Sequence, residues 1–316
     1  MSKKKYIIGI DIGGTRIKSA LLNKEAEIFF KKSIKTKTFV DAISIFKDID
    51  LLIKKCEEKA WDRSGVISGI GIILPGYPDD RGSVSFIPNI PNLKNFPIIE
   101  YLHKDRDIPV IIENDGNASA YGEYIFGQKK KFKNIIVLTL GTGIGSGVVI
   151  GGKILRGRNK ISGELGHLTL NSRGPICVCG KKGCLEAYFS GYAIKNIAMN
   201  VVHGKNNTTL KNYKLDELEP SIVASEAKKG DWESKQIFNY CGKWLGIGIS
   251  IFINIFNPDK VILAGGIARS SKLFTKSMMV EVKKNIHPQY YNNINIKISR
   301  FTNNLGIKST VSSFVD

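Results

Sequence analysis

Two kinds of chemistry stand out in the side chains of this sequence, and one of them is metal binding. His167, Cys177, Cys179 and Cys184 place one imidazole and three of the five cysteines between Glu164 and Glu186. Thiolate and imidazole together are a donor set for tetrahedral zinc. Cys177 and Cys179 stand too close for a relaxed disulfide with each other, yet they can share an ion. Gly180 and Gly183 let the chain turn back so that Cys184 reaches the same point. The alternatives are a disulfide with a spare thiol, or three core cysteines. The polar, glycine-rich surroundings differ from the apolar setting of an inert buried cysteine. Four protein ligands leave no open position, so the metal reads as structural, with the reactive groups beside it.

The second chemistry is phosphate binding. Closely spaced glycines offer runs of backbone amides to an anion. Asp11-Ile12-Gly13-Gly14-Thr15 adds a carboxylate, able to organise magnesium through water, and a hydroxyl that can face phosphate. Gly141, Thr142 and Gly143 form a second loop, and Gly265-Gly266 a third, suited to a base and ribose lying against backbone. One glycine cluster is often only a tight turn. Three, each after an apolar strand, point to a nucleotide. The spacing is neither G-x-G-x-x-G nor a loop closed by Gly-Lys-Ser or Gly-Lys-Thr, which sets aside dinucleotide and Walker architectures.

The elements that must hold these loops alternate strand and helix, the pattern of an α/β fold. Strands are expected at residues 6–10, 17–22, 66–74, 109–113, 135–140, 148–150, 260–263 and 294–299. Helices are expected at 39–61, 116–126, 185–202, 222–229, 232–256, 272–286 and from Gly306 onward. Both halves follow one plan: a strand, a glycine turn carrying a polar residue, and a returning strand. The proline-rich stretch 77–96 reads as irregular backbone and a candidate substrate loop. The expected division is residues 1–115 and 116–303, with helix 304–316 packing back on the first and a zinc-binding insertion at 164–186.

The chain has 316 residues and a formal charge of +19, from 47 Lys plus Arg against 28 Asp plus Glu. That is ample for one large or two medium domains. A basic surface attracts polyanions without specifying one, and aromatic stacking platforms do not alternate with the basic residues, so no specific nucleic acid is expected. No run approaches a membrane span. Five cysteines without a signal peptide fit a reducing, cytoplasmic setting.

The chain resembles the ROK family of sugar kinases and repressors, within the actin-like ATPase superfamily. The resemblance rests on DIGGT at 11–15, ENDGNA at 113–118, LGTGIGSG at 140–147, ELGH at 164–167, CVCGKKGCLE at 177–186 and LAGGI at 263–267, in family order almost end to end. It implies two actin-like, ribonuclease H-like domains around a central cleft, Mg2+-ATP, a sugar acceptor and a homodimer. Asp115 would then be the base that takes the C6 hydroxyl proton, while Asn114 donates to and accepts from a ring hydroxyl. Glu164, His167 and Glu186 are the further sugar candidates, with Asn89 and Asn92 in the proline-rich loop and Gly76 as a point of close approach. His167 would bind zinc through one nitrogen and the sugar through the other. Paired carboxylates also suit glycoside hydrolysis, but that leaves three phosphate loops without a purpose. The Asp11 loop lies too near residue 1 for a preceding helix-turn-helix, which favours kinase over repressor. Glucose is the first expectation for the acceptor. N-acetylmannosamine is the runner-up, because Asn114-Asp115-Gly116-Asn117 resembles the kinases for that sugar, with N-acetylglucosamine, mannose and fructose behind. Polyphosphate is the alternative donor.

Overall fold

The computed structural model describes residues 3–38, 40–85, 87, 90–301 and 304–315. Backbone contacts divide the chain into two units: residues 1–131, 153–162 and 303–316 form the first, and 132–152 and 163–302 the second.

In the first unit β1 (Lys4–Ile12) and β2 (Arg16–Leu22) make an antiparallel hairpin, to which β3 (Ile28–Lys35) adds an outer strand. β3 was not expected, because its Lys31, Lys32 and Lys35 break the apolar signal that a buried strand gives. Edge strands carry such lysines, since an exposed edge must resist pairing with other chains. Helix α1 (Ala42–Trp61) follows; its expected start at Phe39 lies outside the described residues. Ile45, Phe46, Ile49, Leu52, Ile53 and Cys56 recur at helical spacing and are all buried against the sheet. Each of the larger ones contributes about 1.5–3 kcal/mol. Next come β4 (Gly65–Leu74), α2 (Ile98–His103), β5 (Val110–Asn114) and α3 (Asp115–Gly122). β1, β4 and β5 are mutually parallel, and the sheet order is β3-β2-β1-β4-β5.

The second unit repeats the plan. β6 (Ile135–Leu140) and β7 (Ile144–Ile150) form the hairpin. The short β8 (Lys153–Ile154) comes after the Gly151-Gly152 turn and belongs to the first unit, where it packs with α3. Helices α4 (Leu185–Tyr188), α5 (Gly191–His203), α6 (Pro220–Lys229) and α7 (Trp232–Phe256) lead to β9 (Lys260–Ala264). β9 lies parallel to β6, with α8 (Thr275–Asn285) and β10 (Ile296–Ile298) completing the unit. Thus β6 stands between an antiparallel and a parallel neighbour, as β1 does in the first unit.

Three expectations need correction. The single helix expected at 185–202 is broken at Phe189 and Ser190, whose backbones are extended; the site explains why. The helix expected at 116–126 ends at Gly122 in a wider π-type turn over Glu123–Gly127. The division expected at 115/116 is passed over: α3 stays with the first unit, because the C-terminal helix α9 (Leu305–Ser309) packs on it and on β1. A β-carbon at Gly71 of β4 would fall 2.0 Å from the Thr310 carbonyl oxygen, so the C-terminal segment seats where the strand lacks a side chain.

Candidate functional site

Parallel strands present their C-terminal ends at one edge, where α/β sheets hold ligands. In the first unit that edge carries four of the expected positions, Asp11, Gly76, Asn114 and Asp115. Asp11 pairs with Ile73, and Ile73 with Glu113, so Asp11 and Glu113 lie two strand spacings apart, about 10 Å. Asp115 follows two residues beyond Glu113 as the first residue of α3. It is half-buried, and its Oδ1 accepts from the Gly116 amide at 2.8 Å. Asn114 is buried; its Oδ1 accepts from the Gly116 and Asn117 amides at 2.9 and 3.0 Å, and its Nδ2 donates to the Gly76 carbonyl at 3.2 Å. Gly76 and Asn114 therefore meet. Both lone pairs of the Asn114 amide oxygen are spent on capping α3, which leaves one N–H to donate and no capacity to accept.

The Asp11 turn is tightly closed. The Gly13 amide donates to the Arg16 carbonyl at 3.1 Å, and the Thr36 hydroxyl to the Gly13 carbonyl at 2.7 Å. Gly13 thus serves the turn itself. Lys18 stands directly across the hairpin from Asp11, and its Nζ donates to Asp11 Oδ2 at 2.8 Å. Lys18 was not singled out in the sequence, although hairpin register alone pairs it with Asp11. Asn92 is exposed and donates to the Val40 carbonyl at 2.8 Å; Asn89 lies outside the described residues.

In the second unit the glycine loops after β6 and β9 meet at the same kind of edge. Gly265 has φ of +88°, and a β-carbon there would fall 2.5 Å from the Leu140 carbonyl oxygen, so only glycine fits this backbone approach. The Gly141 amide closes a turn onto the Gly143 carbonyl at 3.0 Å. The carbonyls of Gly141 and Thr142 accept from the Gly191 and Tyr192 amides at 2.8 and 3.2 Å. This is why α4 and α5 are separate: the first amides of α5 bind the loop, while Ser190 caps Ala193 at 3.0 Å. Glu186 ties the same loop to the cysteine segment. It is buried, and its Oε2 accepts from the Ile144 amide at 2.7 Å.

The four expected metal ligands converge. Their donor atoms all lie within 4.8 Å of one another. Cys179 Sγ is 3.7 Å from Cys184 Sγ, and Cys177 Sγ is 3.6 Å from His167 Nδ1. Tetrahedral zinc with ordinary bond lengths needs edges of about 3.8 Å between two sulfurs and about 3.6 Å between sulfur and nitrogen. The set fits a tetrahedral divalent ion, and its cysteines are free thiols rather than a disulfide. Backbone bonds shape it: the Cys177 amide donates to the Lys181 carbonyl and the Gly180 amide to the Cys177 carbonyl, at 2.8 and 2.9 Å. Burial, then Cys179 and the Glu186 carboxylate, push the Cys177 thiol well above its ordinary range. A divalent cation reverses that balance. His167 turns Nδ1 to the cluster and Nε2 to Glu164, whose Oε2 is 3.9 Å away. Glu164 itself is exposed.

The comparisons with known proteins agree with this architecture. The model of the ROK family matches residues 7–309, and the chain belongs to that family. It is 32% identical to a glucokinase of Halalkalibacterium halodurans over 96% of this chain and 93% of the relative. It is 31% identical to a xylose repressor of Caldicellulosiruptor bescii over 93% of this chain and 74% of the relative. A solved ROK family glucokinase from Streptomyces griseus, in complex with glucose and AMPPNP, superposes with a TM-score of 0.83 at 28% identity, covering 98% of each chain. Among the described residues no helix is long and apolar enough to cross a membrane.

Proposed function

We propose that the chain is an ATP-dependent hexose kinase that moves the γ-phosphoryl group of ATP to the 6-hydroxyl of glucose. The observation that carries this reading is the shared strand edge of the first unit, where Asp11 stands about 10 Å, two strand spacings, from Glu113, and Asp115 follows two residues beyond Glu113. The glucokinase relatives support glucose as acceptor, and the Streptomyces griseus complex supports a donor of the ATP kind.

In this reading Asp115 accepts the hydroxyl proton as the C6 oxygen attacks the γ-phosphorus. The new O–P bond forms as the bond to the β–γ bridging oxygen breaks, and ADP leaves with that electron pair. Asp11 is the residue that would hold magnesium, through water. Magnesium, when bound, supplies charge neutralisation at the phosphates. Lys18 balances the Asp11 carboxylate from across the hairpin. With the Gly13 amide committed to its turn, the Gly14 amide and the Thr15 amide and hydroxyl face phosphate. The Gly141-Thr142-Gly143 loop does the same from its own unit, and Gly265-Gly266 receives adenosine.

For the acceptor, Asn114 donates its remaining N–H to a ring oxygen beside Gly76. Glu164 and His167 Nε2 take further hydroxyls, and Glu186 offers Oε1, which also accepts from Cys177 Sγ at 3.5 Å. Asn89 and Asn92 are assigned to the same acceptor, Asn92 in competition with its bond to Val40. Zinc is the proposed ion of the cysteine cluster: held by His167 Nδ1, Cys177, Cys179 and Cys184, it would fix the direction of the imidazole and leave Nε2 on the Glu164 side. A homodimer in the cytoplasm completes the proposal; light scattering tests the first part.

A coupled assay with glucose, N-acetylmannosamine, N-acetylglucosamine, mannose and fructose, with ATP and polyphosphate supplied separately, tests the reading. Turnover of glucose with ATP is expected. A higher kcat/KM on an N-acetylhexosamine reassigns the acceptor, and equal turnover on polyphosphate reassigns the donor. The identity to a xylose repressor favours a second reading, a sugar-responsive regulator. No turnover on any sugar, with sugar-dependent DNA binding, would select it.

A further inference from the structure

The ion pair between Arg156 and Glu113 lies beside the Asp115 turn yet belongs to none of the phosphate, sugar or metal sets described above. Glu113 is the penultimate residue of β5, just ahead of Asn114-Asp115, and its carboxylate works on both sides. Oε1 accepts from the Asn114 amide at 3.0 Å and lies 3.4 Å from Asn117 Nδ2, while Oε2 accepts from Arg156 Nη2 at 2.6 Å. The Glu113 side chain is 16% exposed and that of Arg156 46%, so the cation approaches a largely buried carboxylate from the solvent side.

Arg156 arrives on a segment with an unusual course. Residues 153–162 group with the first unit, although the chain before and after them belongs to the second. The segment closes on itself, with the Ser162 amide donating to the Arg156 carbonyl at 3.1 Å. Left-handed backbone at Gly157 and Lys160, with φ of +66° and +62°, shapes the turn. A second cation, Lys160, bonds Asp80 in the proline-rich loop. Asp80 is almost fully exposed, so this outer tether is the weaker of the two.

A carboxylate that is mostly buried needs a counter-charge, and one without it turns toward solvent. That turn removes the acceptor from the Asn114 amide and the Asn117 side chain. Asn114 is the residue that caps α3 and so sets the direction in which Asp115 leaves the strand. The chain of contacts therefore runs Arg156, Glu113, Asn114, with Asp115 bonded next in sequence.

We propose that Arg156 is a positioning residue for the proposed base: its strap of residues 153–162 fixes Glu113, and through Glu113 the turn that presents Asp115. This rests on the kinase reading for its effect on turnover, but not for its effect on the turn. Arg156 touches no reacting atom in this account. Its loss displaces a base without removing it, and a displacement on the order of 1 Å costs roughly a hundredfold in rate.

Arg156→Met and Arg156→Lys, each compared with wild type, test the proposal by two readouts on metal-loaded protein. The first is amide hydrogen exchange across residues 110–122. Faster exchange there in Arg156→Met, with wild-type rates in the helices of the second unit and recovery in Arg156→Lys, is expected. Unchanged exchange in Arg156→Met would overturn the proposal whatever the activity. The second readout is steady-state kinetics. Arg156→Met is expected to lower kcat by roughly tenfold to a hundredfold while KM for ATP stays within about twofold, and Arg156→Lys to regain most of kcat. An equal loss in both variants, or a change confined to KM for ATP, would also overturn it. If wild-type protein phosphorylates none of the sugars, the kinase reading falls, and exchange alone still decides whether the strap holds the turn.

Discussion

Replacing Gly143 by alanine tests how the loop after β6 is held. A β-carbon at Gly143 falls 2.4 Å from Oε2 and 3.2 Å from Cδ of Glu186, where ordinary contact begins at 3.4 Å. The two must separate by about 1 Å. Glu186 has little room to yield: it is 6% exposed, and Oε2 accepts from the Ile144 amide at 2.7 Å. Its retreat breaks a hydrogen bond to a charged group, a loss of about 1.5–3 kcal/mol. In a unit of this size a loss of about 2 kcal/mol lowers the melting midpoint by roughly 4–8 °C. Gly141, two residues earlier in the same loop, is the matched control, because a β-carbon there meets nothing within 4 Å. Calorimetry on metal-loaded protein should find Gly141→Ala within about 2 °C of wild type and Gly143→Ala clearly below it. Equal midpoints for the two variants would refute the claim that Glu186 anchors the loop.

Gly265→Ala should be more damaging than Gly143→Ala, since its β-carbon would meet the Leu140 backbone at 2.5 Å with φ at +88°. A loss of about 3 kcal/mol or more is expected, and a wild-type melting midpoint would contradict the backbone approach between β6 and β9. Elemental analysis should find one zinc per chain, lost in Cys179→Ser, and chelation should lower the melting midpoint by on the order of 10 °C. Full thermal stability after verified metal removal would contradict a structural role. Asn114→Ala removes the cap of α3 and the bond to Gly76, a loss of about 1–2 kcal/mol. Exchange of the Gly116 and Asn117 amides should rise with it, and unchanged exchange would refute the capping role.

β1 and β6 were legible in the sequence because their apolar runs are buried, and the hairpin plan showed itself through the glycine turns that end them. The metal cluster was legible because cysteine and histidine have few other reasons to gather on polar, glycine-rich backbone. What stayed hidden depended on contacts between distant segments. β3 is an edge strand whose lysines mask it. The break between α4 and α5 has no proline to announce it; it arises because the Gly191 and Tyr192 amides bind the Gly141-Thr142 turn. Asn114 reads as a polar residue beside a candidate base, and its side chain turns out to be engaged as a helix cap. The link from Glu113 to Arg156 joins positions 43 residues apart, and no local pattern foretells such a pairing.

The central claim is that Asp115 is the base of a sugar kinase, and Asp115→Asn separates chemistry from binding with the smallest change of shape. Glucose binding by isothermal titration and phosphorylation of glucose by ATP should be measured on the same preparations of wild type and variant. Glucose affinity within a few-fold of wild type and a kcat lower by roughly 10²–10⁴ are expected. Near-normal turnover in Asp115→Asn would contradict that claim.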